Sequence, residues 1–204
     1  SFLWQLVIPK LGAGKVSDWE YVGLCSSPAI DGDRMYLVSN RGEVICLDVN
    51  GMANGNDGPF KDEAKYSSAA KDGTPVEIGT QSADIIWKYD MRDGDNIGTF
   101  PHNVSSCSPV VVGDMLITAT SNGVDWSHTN IPAPNAPSLI ALNKKTGELI
   151  GEEVSEVSTR VLHASWSSPA HGKIGDKNAI VWGGGDGFTY AFDPKTIKDD
   201  EGFD

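Results

Sequence analysis

Ser108-Pro109-Val110-Val111-Val112, Gly113-Asp114, Met115-Leu116-Ile117, then Asn122-Gly123 and Leu139-Ile140-Ala141-Leu142-Asn143 decide the fold. Short apolar runs broken by Gly-Asp and Asn-Gly read as strands joined by tight hairpins. Glycine and asparagine accept the left-handed backbone that such turns demand. The same order occurs upstream in Ser26-Ser27-Pro28-Ala29-Ile30, Asp31-Gly32-Asp33, Met35-Tyr36-Leu37-Val38, Asn40-Arg41-Gly42 and Val44-Ile45-Cys46-Leu47-Asp48. It returns downstream in Ser168-Pro169-Ala170, Gly175-Asp176, Ile180-Val181-Trp182, Asp186-Gly187 and Thr189-Tyr190-Ala191-Phe192-Asp193. A fourth strand is expected at Ile85–Tyr89 after the first triplet and at Leu149-Ile150 after the second. Leu3-Trp4-Gln5-Leu6 would be the fourth strand of a preceding unit.

No segment keeps a helical period over any length. Four antiparallel strands per unit, repeated in order, predict an all-β propeller. A sandwich or a solenoid would not require the same turn pattern three times. About three blades are present, starting near Ser26, Ser108 and Ser168, of a ring of roughly six to eight. Residues 1–204 thus read as one partial propeller region with insertions at 51–84 and 124–137. The alternative is self-association, two chains completing a six-bladed ring.

Particular motifs carry a family resemblance. Ala141-Leu142-Asn143-Lys144-Lys145-Thr146-Gly147 resembles the blade motif of the pyrroloquinoline-quinone (PQQ)-like repeat family, Ala-x-Asp-x-x-Thr-Gly followed by Trp. Here Asn143 replaces the Asp and Gly151 stands where the Trp would dock. Cys46-Leu47-Asp48 and Ala191-Phe192-Asp193 repeat the start of the motif, and Trp4 and Trp87 look like its docking tryptophans. The resemblance implies a bacterial cell-envelope protein, periplasmic or otherwise exported. Ser1-Phe2-Leu3-Trp4 itself says nothing of export.

Bulk properties narrow the function. The net charge is −12, and Lys and Arg form no cluster, so a nucleic-acid groove is not expected. No apolar run approaches the ~20 residues that span a bilayer. Cys25, Cys46 and Cys107 are too few for a disulfide scaffold. Cys25 and Cys107 are out of register on successive strands, and Cys46 reads as a small buried residue.

Strand alternation sorts the loops by end. Connections from a fourth strand to the next first strand share an end with the second-to-third turns. That end receives residues 7–24, 90–105, 152–165 and the insertion 124–137. It gathers Trp19, Tyr21, His102, Asn103, Asn122, Trp126, His128, His163 and Trp166. Three of the four histidines and three of the six tryptophans fall there, so this face is the candidate binding surface. With no Cys or sequence-close His partner, the histidines do not indicate a structural zinc site. The insertion 51–84 is expected at the opposite end. Its Asp48-Val49-Asn50-Gly51-Met52-Ala53-Asn54-Gly55-Asn56-Asp57-Gly58 stretch is oxygen-rich, but the spacing does not match an EF-hand loop, so it reads as a turn-rich loop.

Two functions compete. Thr120-Ser121-Asn122-Gly123-Val124-Asp125-Trp126 resembles a segment of PQQ-dependent alcohol dehydrogenases in which the Asn helps ligate Ca²⁺. That would make Asn122 a calcium ligand in a PQQ- and Ca²⁺-dependent alcohol or sugar dehydrogenase. Other parts of that machinery are missing from the sequence. There is no vicinal Cys pair, no stacking Trp in Ser105-Ser106-Cys107-Ser108, and no base in His163-Ala164-Ser165-Trp166. The favoured reading is a non-catalytic envelope scaffold or binding module, with a protein or the remaining blades as partner. Gly183-Gly184-Gly185-Asp186-Gly187 lies between expected strands and reads as a hairpin turn rather than a phosphate loop.

Overall fold

The structure is a computed structural model that describes residues 1–9, 23–70 and 72–195. It is all-β, 33% strand and 6% helix, in three antiparallel sheets. The first sheet runs β1 (Ala29–Asp31), β2 (Arg34–Val38), β3 (Glu43–Asp48) and β4 (Ile85–Asp90), each paired with the next. The second repeats this order with β5 (Val110–Val112), β6 (Met115–Ala119), β7 (Leu139–Asn143) and β8 (Leu149–Glu152). The third contains β9 (Ala170–Ile174), β10 (Lys177–Gly183) and β11 (Thr189–Phe192). Each expected unit start precedes its first strand by two or three residues. The helix α1 (Glu63–Tyr66) is a single turn.

Alternation places the side chains. Tyr36, Val38, Val44, Cys46 and Trp87 leave one face of the first sheet to pack on Leu116, Ile140 and Leu142 of the second. Ile117, Ala119, Leu139 and Ala141 leave the other face of the second sheet toward Ile180 and Trp182 of the third. Every residue of β3 is buried, because both of its faces are covered. Its Cys46 thiol is pushed up to about 12 by burial. All three cysteines are free, with Cys46 and Cys107 buried and Cys25 exposed.

Two tryptophans bridge neighbouring segments in the same way. Trp87 is 5% exposed. Its indole N–H donates to the Lys144 carbonyl at 3.2 Å, and its ring lies on Gly147, where a Cβ would stand 2.6 Å from the indole. Gly147 has φ +78°, so both its backbone and its space require glycine. Trp4 repeats the arrangement, donating to the Val49 carbonyl at 2.8 Å and lying on Gly51.

Two expectations need correction. Leu3–Leu6 forms no regular strand among the described residues; Gln5 makes a single parallel bridge to Ser82. Its backbone pairs instead with the returning end of the insertion, Gln5 N–H donating to Gln81 O at 3.0 Å and Ala83 N–H to Gln5 O at 2.9 Å. That insertion, 51–84, leaves the expected end but does not stay there. Phe60 and Tyr66 are apolar enough to be drawn over the outer face of the first sheet, onto Leu37, Ile45, Leu47 and Ile85. Tyr66 thereby reaches the opposite end, where its hydroxyl donates to Glu43 at 2.6 Å and its ring receives Arg41 at 4.6 Å.

Candidate metal centre on the loop face

Three loops meet at the end where β2 and β6 finish. The middle one, Ser121–Val124, continues from β6 and is flanked on both sides by backbone pairing. On one side Gly123 N–H donates to Phe100 O (3.0 Å) and His102 N–H to Ser121 O (3.2 Å). On the other, Val124 N–H donates to His163 O (2.8 Å) and Ser165 N–H to Asn122 O (3.2 Å). Isolated bridges Pro101–Asn122 and Gly123–Ala164 result. Gly123 makes the approach possible: a Cβ there would lie 2.7 Å from the Ala164 Cβ and collide with the His163 carbonyl oxygen.

This pairing brings His102 and His163 together although they are 61 residues apart in sequence. Their Nε2 atoms are 2.5 Å apart, and the rings lie edge to face with centroids at 4.1 Å. His128 completes the group, with ring centroids 5.1 Å from His102 and 4.8 Å from His163. It sits at φ +58° in a turn organised by Asp125. Oδ1 of Asp125 accepts the Ser127 N–H at 2.9 Å, Oδ2 accepts the Asn130 amide at 2.8 Å, and His128 N–H donates to Asp125 O at 3.0 Å. The Ser127 hydroxyl and the Asn130 amide hold the Asp125 carboxyl below the usual carboxylate range.

One nitrogen from each of the three imidazoles falls within 4.8 Å of the other two. His102 is wholly buried and its Nδ1 lies 2.7 Å from the Val124 carbonyl oxygen. A carbonyl only accepts, so Nδ1 carries the proton and Nε2 presents its lone pair to the cluster. A backbone carbonyl on the far ring nitrogen is the usual orienting partner of a metal-bound histidine. Two lone pairs facing at 2.5 Å repel unless a proton or a cation lies between them. Nitrogens tetrahedrally disposed around Zn²⁺, with bonds of about 2.0–2.1 Å, stand roughly 3.3 Å apart. The pair needs to open by less than about 1 Å to admit an ion. Imidazoles suit zinc, copper, nickel and iron. Three neutral donors leave a divalent ion with a position for water or a ligand.

Strand alternation puts these three histidines on one face, but with no Cys or sequence-close His partner their spacing does not indicate a structural zinc site. Backbone pairing supplies the proximity that spacing did not. The other candidates fare differently. Trp166 packs beside the cluster, 5.3 Å from His163 and 5.9 Å from His102 between centroids, and donates to Val104 O at 3.2 Å. Trp126 is 70% exposed on the same loop as His128. Asn103 is buried at φ +61°, with an Oδ1 that has no hydrogen-bond partner. Trp19 and Tyr21 lie outside the described residues.

Asn122 is engaged in holding the loops. It is wholly buried; its Oδ1 accepts Phe100 N–H at 2.8 Å, and its amide donates to Ala133 O at 2.8 Å and Ser158 Oγ at 3.0 Å. Wholly buried and bonded to protein through both its Oδ1 and its amide nitrogen, Asn122 as it stands here does not present a free ligand oxygen to a Ca²⁺–quinone centre.

No family model and no curated protein matches the chain. Among solved structures it is similar to the crystal structure of the computationally designed Ika4 protein, at 15% identity and a TM-score of 0.31, over 92% of this chain and 96% of that one.

Proposed function

We propose that the three sheets are consecutive blades of a β-propeller of the PQQ-like repeat type, and that it is a binding module whose loop face carries a transition-metal ion on His102, His128 and His163. The observation that carries the metal reading is the convergence of three imidazoles, one of them buried and tautomer-locked by the Val124 carbonyl. Support for consecutive blades comes from the first strands. Ser27 N–H donates to Ser108 Oγ at 2.9 Å and Ser108 N–H to Ser168 Oγ at 2.8 Å, so one link repeats from sheet to sheet. The repeated Trp-on-Gly contacts support the blade type. The ion would join the connection between the first and second sheets, the insertion of the second, and the connection to the third. Its remaining position would meet the bound partner beside Trp126 and Trp166.

The test is metal stoichiometry. Chelator-stripped protein is titrated with Zn²⁺ and, for its visible spectrum, Co²⁺. One ion per chain is expected, with the intense absorption of four-coordinate Co²⁺. His128→Ala, at an exposed site, should weaken binding without lowering the melting temperature of the metal-free protein. Unchanged affinity in both His128→Ala and His163→Ala, or no retained ion in the parent, would overturn the assignment.

A further inference from the structure

A second group of ligands lies at the other end of the strands, independent of the histidines. Asp48 ends β3, Asp84 immediately precedes β4, and Asp57 belongs to the insertion between them; one oxygen from each lies within 4.8 Å of the other two. Asp48 and Asp84 are 3% and 0% exposed. Glu63, also buried, adds a further negative charge: its Oε1 accepts the N–H of Ile85, next to Asp84, and its Oε2 accepts the Asn56 amide.

The compensation within this group is incomplete. Arg34 pairs with Asp48 Oδ2 at 3.0 Å, and Asp48 Oδ1 accepts Asn50 N–H at 2.7 Å. Lys61 is held by Asn56 Oδ1 and by the Asn56 and Asp57 carbonyls. Asp84 Oδ2 accepts Asp57 N–H at 2.8 Å. Its Oδ1 is buried with no hydrogen-bond partner. An unpaired carboxylate oxygen out of water among like charges is a costly arrangement. Burial, and the nearby charges of Glu63, Asp57 and Asp48, push the Asp84 carboxyl above its ordinary range.

We infer that Asp48, Asp57 and Asp84 form a calcium site that clasps the base of the insertion 51–84. Carboxylate oxygens are hard ligands, and the segments bearing two of the three are irregular. Ca²⁺ tolerates irregular geometry, whereas Mg²⁺ demands a compact octahedron. Oxygens on opposite sides of Ca²⁺ stand about 4.8 Å apart, twice a bond of roughly 2.4 Å, and the three aspartate oxygens lie no farther from one another than that. Water and backbone carbonyls complete six to eight ligands in such sites. Asp48 and Asp84 flank the whole excursion, and Asp57 lies early within it. One ion would therefore tie its entry, its first loop and its return, and anchor a segment with little regular structure of its own.

The experiment follows Ca²⁺ by calorimetric titration, thermal melting and limited proteolysis of the insertion, on the parent protein, Asp57→Asn and Asp84→Asn. In the parent, Ca²⁺ should raise the melting temperature and slow cleavage within 51–84, and Mg²⁺ should do so less. Asp57→Asn removes an exposed ligand, so it should fold normally and bind Ca²⁺ roughly tenfold or more weakly. Asp84→Asn should melt higher than the calcium-free parent, because it relieves a buried like charge, and lose the Ca²⁺ response. His163→Ala, at the other end, should keep the full response. No heat, no melting shift and no protection up to about 10 mM Ca²⁺, beyond the weakest calcium modules, would refute the site. So would an undiminished response in both Asp variants.

Discussion

Replacing Trp87 by alanine and Gly147 by alanine, singly and together, tests the contact that joins the first two sheets. Trp87→Ala deletes an indole that is 5% exposed and leaves a cavity between Tyr36, Leu142 and the Thr146-Gly147 turn. Large aromatic deletions of this kind cost about 3–5 kcal/mol. The lost hydrogen bond to Lys144 O contributes about 1 kcal/mol of that. Gly147→Ala is penalised twice. At φ +78° an alanine costs about 1–2 kcal/mol in backbone strain, and its Cβ would stand 2.6 Å from the indole. Relieving that overlap forces ring or turn to shift, at about 1–3 kcal/mol. In the double variant the indole is gone, so only the backbone strain remains. The Gly147→Ala penalty should then shrink by at least about 1 kcal/mol. Equilibrium urea unfolding, followed by far-ultraviolet circular dichroism, reads all four corners of the cycle. Additivity within roughly 0.5 kcal/mol, the usual result for residues not in contact, would show that the ring and the glycine do not touch. Gly51 and Trp4 make a similar contact, but there a Cβ would also stand 2.7 Å from the Ser82 carbonyl oxygen, so removing the indole should relieve less of the Gly51→Ala penalty.

Other expected outcomes follow from the loop face. Asn122→Ala strands the Phe100 N–H and takes one donor each from the Ala133 carbonyl and the Ser158 hydroxyl, which keep Ala136 N–H and Ser138 Oγ, and should cost about 1–3 kcal/mol by thermal or urea unfolding; an unchanged fold with loss of a bound quinone would instead restore the dehydrogenase reading. Gly123→Ala should separate His102 from His163 and weaken Zn²⁺ binding more than it lowers the melting temperature; equal affinity to the parent would disprove the bridging role of Gly123. Burial acts to raise the Asp186 carboxyl, but donors from Tyr190, Phe188 and Arg160 outweigh it and hold the carboxyl below its ordinary value. Its stabilising contribution is therefore complete above about pH 4, the unfolded value, and is lost as pH falls toward the folded one. Asp186→Asn should flatten the acid limb of a stability–pH profile and leave the neutral-pH slope alone.

The repeated turn chemistry made the strands legible. Asp31-Gly32-Asp33 and Gly113-Asp114 sit at hairpins whose glycines have φ near +61°, and the runs between them became β1–β3 and β5–β7 at nearly the predicted residues. Burial of Trp87 followed from its place in the motif. The path of the insertion 51–84 did not. Strand direction determines from which end a loop departs, whereas Phe60 and Tyr66 determine which surface it then covers. Only the tertiary structure supplies the apolar face they seek.

Neither cluster was fully legible: loop direction put the three histidines on one face and residues 48–58 are visibly oxygen-rich, but nothing in the spacing joins the side chains, and the reason is common to both. In a stack of sheets covered on two faces, strand side chains are consumed by packing; β3 has no exposed residue at all. Polar chemistry is displaced to strand ends and loops, where contacts join residues far apart in sequence. His102 and His163 meet because both segments pair with Ser121–Val124. Asp48 and Asp84 meet because β3 and β4 are neighbours, which closes the excursion between them at its base. The Asn-Gly at 122–123 offered a partial signal: the Asn amide ties three loops, and the Gly permits the backbone contact that aligns two histidines. The same dipeptide that reads as turn chemistry thus organises the candidate metal centre, through hydrogen bonds that appear only once the sheets are stacked.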